Sequence, residues 1–361
     1  MILIYDKLIY FGGGERVLFQ INKTLKPNKV FITSYKKNEI WDNELKNICY
    51  PFWGKYFTTR FTFLYTYPFI CFLNSFYKIK SEKIFCYSSS YSKYFNLQAK
   101  KKILYVNFPA RGIVNPEVFI KSKFILYLLN PLIHYFKLFE KKQYDKFDEI
   151  YSISKYTQKI LYEIYNVRSK VLYCPTSSLF YENSKPVINR NNNYILISRL
   201  EESKNLKYIF EVFNMCPYEL IVIGTGTLLD HYKQTYPKIN FKGFLDDENL
   251  IQELSLAQCC IIPTILEYGL PIIESFSRGT PVICVESPAS KELITDFEIE
   301  YNCKLGIIFK KPDTHSFLKA LNTFNNLKYS FDSYKIIDIA NIFHPNNFDI
   351  SLKKIMYNND N

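Results

Sequence analysis

Short runs of β-branched and aromatic residues alternate along the chain with longer stretches whose apolar positions recur at helical spacing. In the first half the runs predict strands at residues 2–5, 30–33, 83–87, 102–106, 149–152 and 170–173, and the stretches predict helices at 14–25, about 121–140 and 155–165. A second series of strands is predicted at 194–198, 219–223, 239–242, 259–262, 281–285 and 305–309. Strands alternating with helices argue for parallel sheets with helices on both faces, an α/β fold. The Asn-rich stretch 183–193 interrupts the pattern and reads as a linker between domains at 1–182 and 194–344. The tail from about residue 330 reads as polar helix.

One segment departs from the alternation. Residues 61–76 are almost wholly apolar and aromatic, yet too short and too interrupted by Pro68, Thr and Asn for a membrane span. Lys55, Arg60, Lys78 and Lys80 flank it, a pattern shared by membrane-interface segments and buried core helices.

Composition sharpens this picture in two places. The chain has 361 residues, enough for two domains, and its net charge of +12 is uneven: residues 1–190 carry +17 and the remainder −5. A basic half joined to a mildly acidic half suggests that the first domain faces an anionic lipid, nucleic acid or phosphate-bearing acceptor. The nine Cys are scattered without a C-x-x-C, which reads as a reducing compartment with no structural zinc. The chain opens directly on an apolar strand, from which no leader is expected.

The candidate chemistry lies just after predicted strands. Phe11-Gly12-Gly13-Gly14-Glu15-Arg16 follows the first strand; glycines there let backbone N–H groups at a helix start approach an anion. Asn107 and Arg111 lie in Tyr105-Val106-Asn107-Phe108-Pro109-Ala110-Arg111, and Asn107 suits a sugar hydroxyl. In the second series, Ser198-Arg199-Leu200 leads to Lys204-Asn205, placing two cations where they can clamp a diphosphate without a metal. Gly224-Thr225-Gly226 and Phe241-Lys242-Gly243-Phe244 follow the next strands. Pro263-Thr264-Ile265-Leu266-Glu267-Tyr268-Gly269-Leu270-Pro271-Ile272-Ile273-Glu274 then joins a strand, a glycine turn and a helix opening near Pro271, with two acids able to accept from sugar hydroxyls. Each alone is equally well a tight turn or a solvated charge. Their common place at strand ends, where open α/β sheets bind ligands, favours a shared site.

In this order, over nearly the whole chain, the motifs resemble those of a family 4 glycosyltransferase of the two-Rossmann-domain (GT-B) type, from the branch that builds surface polysaccharides and lipid-linked glycans. The resemblance implies two Rossmann-like domains facing each other across a cleft, with a C-terminal helix (345–361) crossing back to the first domain. It implies that Arg199 and Lys204 hold the donor diphosphate, that Glu274 binds the nucleotide ribose, and that Glu267 with Tyr268, Gly269 and Leu270 contacts the donor sugar and phosphates. Gly13, Gly14, Ser198, Gly224 and Phe244 line the donor, Asn107 stands beside the reacting sugar, and Arg111 lies on the acceptor side. The implied reaction is a retaining transfer of a hexose from a UDP- or GDP-linked donor, with GDP-mannose favoured, to a lipid-linked or cell-surface glycan. No metal and no cofactor are expected, and the implied place is cytoplasmic, peripheral on the inner face of an anionic membrane.

The chain departs from the family pattern twice. The turn from Glu267 to Glu274 is one residue short, and Asn107 stands where the family usually has His. A GT-B-fold partner subunit that binds nucleotide-sugar with little or no transfer is therefore the alternative. A nucleic-acid binder is not expected, because the basic residues are dispersed and no such motif occurs. A phosphorylase would need a pyridoxal-phosphate lysine context that is not seen.

Overall fold

The computed structural model describes residues 1–9, 12–56, 67–118, 120–187 and 190–357. Phe11 of the glycine turn, Arg60, and 61–66 of the apolar segment lie outside the described residues; the rest of that segment forms a helix at Tyr67–Phe76. The chain divides into two compact units, Met1–Pro175 together with the C-terminal stretch from Asn346, and Thr176–Pro345.

Among the described residues, the first unit holds a parallel sheet of β1 (Ile2–Leu8), β2 (Lys29–Tyr35), β3 (Ile48–Cys49), β4 (Lys83–Ser88), β5 (Lys101–Val106), β6 (Glu149–Ser152) and β7 (Lys170–Val171). Its order is β3-β2-β1-β4-β5-β6-β7. Register sets Tyr5 opposite Tyr87 and Tyr87 opposite Tyr105, so their rings stack across three strands at 5.2 and 5.4 Å. Such pairs add roughly 0.5–1.5 kcal/mol each beyond their buried area. Helices α1 (Gly13–Leu25), α2 (Lys123–Tyr144) and α3 (Lys155–Tyr165) flank the sheet sequence. The bounds of α3 follow from its caps: Ser154 accepts the Thr157 N–H at 3.0 Å, and Asn166 ends the helix at a left-handed φ of 53°.

The second unit repeats the scheme with β8 (Asn193–Ile197), β9 (Glu219–Ile223), β10 (Asn240–Gly243), β11 (Cys259–Ile262), β12 (Val282–Val285) and β13 (Gly306–Phe309), ordered β10-β9-β8-β11-β12-β13. After β11 comes the helix α4 (Leu270–Ser277). This is the doubly wound arrangement of dinucleotide-binding sheets.

The unit boundary differs from the sequence-based one. The chain enters the second unit at Thr176, so the stretch 183–193 lies inside it. Buried arginines account for this. Arg278 Nη1 donates to the carbonyls of Phe180 and Glu182 at 3.2 and 3.1 Å, and Tyr181 donates to the Ala340 carbonyl at 3.0 Å. Arg190 donates to the carbonyls of Ser255, Ala257 and Arg278 and to Thr280 Oγ1, and burial lowers its guanidinium to about 10. Composition marks this stretch as polar and does not reveal those partners.

The last helix, α5 (Pro345–Tyr357), packs on the first unit. Asp349 accepts from Gln20 at 2.8 Å and from Thr24 at 2.6 Å on α1, and Phe348 lies 6.0 Å from the Tyr105 ring. Phe348, Leu352 and Met356 are buried, so this helix is amphipathic rather than polar.

Candidate functional site

Along the carboxyl edge of the second sheet, loops follow β10, β9, β8 and β11 in that spatial order, and the winding reverses between β8 and β11. Loops at such a reversal turn apart and leave a crevice for a ligand. Residues 198–205 form one flank and 263–269 the other.

The first flank is backbone-knit to its neighbours. Ser198 N–H donates to the Ile223 carbonyl at 3.0 Å, Leu200 N–H to Thr225 at 2.9 Å, and Gly224 N–H to Gly243 at 2.7 Å. The strands thus continue their pairing past their ends, and glycine is what allows it. A Cβ on Gly224 would lie 2.0 Å from the Ser198 carbonyl oxygen, at a φ of +134°. Alanine at Gly224 is therefore expected to destabilise the second unit by about 1–3 kcal/mol, read as a lower urea midpoint with unchanged slope. Beyond Leu200 the chain makes a short turn at Glu202–Lys204, closed by Asn205 at a left-handed φ of 46°. Arg199 is exposed and 3.3 Å from the half-buried Glu201. Lys204 is half-buried and pairs with no carboxylate among the described residues. Phe244, next in line after β10, is 80% exposed.

The second flank ends in α4. Gly269 is its N-cap at a φ of +89°, brings no side chain to that end, and is followed by Leu270 and Pro271 in the first turn. A Cβ on Gly269 would press on Ala289 at 2.9 Å and Leu293 at 3.0 Å. The segment beneath, Pro288–Ser290 and the π-helix Lys291–Asp296, also holds the loop by Ala289 N–H donating to the Leu266 carbonyl at 3.1 Å. Glu267 and Tyr268 are half-buried in this loop, and Glu274 is half-buried on α4. On β11, burial pushes the Cys260 thiol up to about 12; Ser275 opposes that shift and the Glu274 charge adds to it. Beyond β10, Asp246 caps a helix by accepting the Asn249 N–H at 2.9 Å.

In the first unit, Gly12 caps α1 and Gly13 opens it. A Cβ on Gly14 would meet Tyr5 Oη at 3.0 Å and Asn107 Nδ2 at 3.9 Å, so the structure gathers Gly14 and Asn107 over the tyrosine stack. The Asn107 carbonyl accepts from Thr157 Oγ1 at 3.0 Å. Arg111 is exposed at the start of a short helix, Arg111–Val114.

Several residues at this edge escape sequence reasoning. Glu15 is buried and accepts from the Tyr5 hydroxyl at 2.9 Å; burial raises its carboxyl, while the Tyr5 and Gly12 donors oppose the shift. Asp6 fills this unit's own reversal, between β1 and β4. It accepts from Ser88 Oγ at 2.8 Å and from the N–H groups of Ser89, Ser90, Tyr91 and Ser92 at 2.6–2.9 Å. A row of N–H groups like this binds anions, and here the chain's own carboxylate takes the place. The Ser88-Ser89-Ser90 run after a strand is the one sequence signal for it.

The family described as "Glycosyl transferases group 1" matches residues 181–335. The O-antigen chain mannosyltransferase B of Escherichia coli is 28% identical over 116 residues, a match spanning 28% of this chain and 30% of that protein's length. Among solved structures, a sucrose-phosphate synthase from Thermosynechococcus elongatus superposes with a TM-score of 0.68 at 15% identity, covering 98% of each chain. HepE of Anabaena, solved in complex with UDP, does so with a TM-score of 0.65 at 14% identity, again over 98% of each. At such identities the structural likeness speaks to the fold alone. Residues 181–335 thus match the group 1 glycosyltransferase family model, and the chain as a whole has the two-Rossmann-domain (GT-B) fold.

Proposed function

We propose that this protein is a retaining hexosyltransferase that moves a sugar from a UDP- or GDP-linked donor to a lipid-linked or cell-surface glycan at the inner face of an anionic membrane. The observation that carries the reading is the reversal between β8 and β11, with Arg199 and Lys204 on one flank and Glu267, Gly269 and Glu274 on the other. The positive end of α4 and the two cations suit a diphosphate, and Glu274 suits vicinal ribose hydroxyls. In the first unit the comparable reversal is filled by Asp6, which supports placing the nucleotide in the second.

In this reading the bond from the anomeric carbon to the diphosphate breaks as a new bond forms from the acceptor hydroxyl on the same face. The hydroxyl proton passes to the departing diphosphate. Arg199 and Lys204 supply the positive charge for that departure, so no metal is required. Asn107, an uncharged donor, orients a sugar hydroxyl. The named activity of the Escherichia coli relative favours mannose, and the UDP held by HepE keeps UDP-hexoses in view.

Calorimetric titration with UDP and with GDP tests this directly. One nucleotide is expected to bind, and Glu274→Ala to weaken it by about tenfold to a hundredfold, the value of hydrogen bonds to a charged group. If neither nucleotide binds, the donor site is wrongly assigned and a partner subunit without transfer becomes the better account.

A further inference from the structure

We propose that the outward face of α2, Lys123–Tyr144, is a docking surface for an anionic lipid bilayer. The inference deepens the membrane-facing acceptor of the proposed function and rests on that reading. Its physical basis is the two-sided apolar character of one helix.

Helical spacing divides α2 into two opposite faces. Leu126, Leu129, Ile133 and Phe136 are half-buried, and Glu140 and Tyr144 are buried; this face packs on the first unit. The other carries Phe124, Tyr127, Leu128, Leu132, Tyr135 and Leu138, all more than half exposed, with Tyr127 at 78%. A helix apolar all round is ordinarily enclosed, and a contiguous exposed patch of large side chains marks a surface that something covers.

Charge identifies the occupant. Lys121, Lys123 and Lys142 are exposed and Lys137 and Lys141 half-exposed around this face. The one carboxylate in the helix, Glu140, is buried on the opposite side, 2.6 Å from Lys93. Every solvent-facing charge of α2 is therefore positive, which complements anionic headgroups and opposes a second copy of the same face. Tyr127 and Tyr135 pair an apolar ring with a polar tip, as the headgroup boundary requires. No described helix is long and apolar enough to cross a membrane, and half of the α2 circumference is taken up by the protein. The helix would lie in the plane of the interface. The buried Tyr94 joins this face to its neighbour: Phe139 of α2 and Tyr67 of the Tyr67–Phe76 helix both pack on it, and Phe72 and Phe76 of that helix are also exposed.

Vesicle flotation tests the proposal with the full chain. Wild type is expected to float with phosphatidylcholine vesicles containing phosphatidylglycerol, and about tenfold less with phosphatidylcholine alone or at high salt. The double variant Leu128→Ser, Tyr135→Ser should lose roughly a hundredfold in partition, from the apolar area it withholds. Should that variant misfold, Lys121→Glu with Lys123→Glu provides the second arm, again with about a tenfold loss or more. Wild-type partition by either folded variant, or no preference for anionic vesicles, would overturn the assignment. So would a wild-type dimer that ignores vesicles and is broken by the same substitutions. Nucleotide titration on the same samples separates the two readings. Wild type that binds nucleotide but does not float sinks this inference alone, and wild type that floats but binds neither nucleotide sinks the donor site alone.

Discussion

Alanine at Arg199 or at Lys204 is expected to lower turnover by about a hundredfold to a thousandfold each, the usual effect of removing one preorganised donor from a developing charge. The two cations stand on the loop that borders the reversal between β8 and β11. Arg199 is held only loosely, because its ion pair with Glu201 is 3.3 Å long and its side chain is 71% exposed. An exposed pair contributes about 0–1 kcal/mol, so the guanidinium can exchange it for a diphosphate at little cost. Lys204 ends the short turn that Asn205 closes. Neither side chain supports the core, so thermal unfolding of both variants should match wild type while kcat falls. Arg199→Lys should recover only part of the loss, since an ammonium cannot make the two parallel hydrogen bonds of a guanidinium. The double variant should be far less than the product of the singles, because both groups act on one leaving group. Turnover near the wild-type rate in either single variant would remove these residues from the donor site.

The second large effect concerns stability. Glu140→Ala or Lys93→Ala is expected to destabilise the first unit by about 3–5 kcal/mol, the cost of leaving one buried charge without its partner. The Lys93 ammonium lies 2.6 Å from the Glu140 carboxylate, and the side chains are 2% and 0% exposed. The network around the pair is closed. Tyr165 donates to Glu140 at 2.7 Å, Tyr144 completes the carboxylate, and the Lys93 ammonium sits 5.2 Å from the Tyr144 ring. Burial and the Glu140 charge together push both phenols well above their usual range, so they stay protonated and keep donating. Replacing both members by Met and Leu should cost much less than the sum of the single changes, because no uncompensated charge remains. Urea unfolding followed by a probe in the first unit checks this; additive single and double effects would mean the pair carries no coupling. The pair also anchors α2 to the turn Ser92–Tyr94, so the single variants should weaken flotation together with stability.

How much was legible without coordinates depends on distance along the chain. The predicted strands at 149–152, 219–223 and 259–262 and the helix at 155–165 have the observed bounds, because alternation, caps and terminators act within one element. The backbone shape of the loops proposed to hold the donor was legible for a similar reason. Gly224, Gly269 and Pro271 impose backbone shapes that few other residues tolerate, and Arg199, Lys204, Glu267 and Glu274 stand close to them in sequence. Of the apolar segment 61–76, the described helix Tyr67–Phe76 exposes Phe69, Phe72 and Phe76, fewer large apolar side chains than the outward face of α2. Hydropathy alone ranks segments by content and cannot say which apolar side is enclosed.

By itself, then, the sequence determined the two α/β series, the place of each glycine turn at a strand end, and the charged residues that stand beside those turns. Those features are local, set by backbone sterics and by the period of apolar positions. Only the tertiary structure decided that Asp6 fills its own anion nest, that Lys93 and Glu140 meet, that Arg278 ties Phe180 and Glu182, and Arg190 ties itself, into the second unit, and which face of α2 is left open. Each depends on partners far apart in the chain, and burial turns a common side chain into a paired charge or an uncovered one.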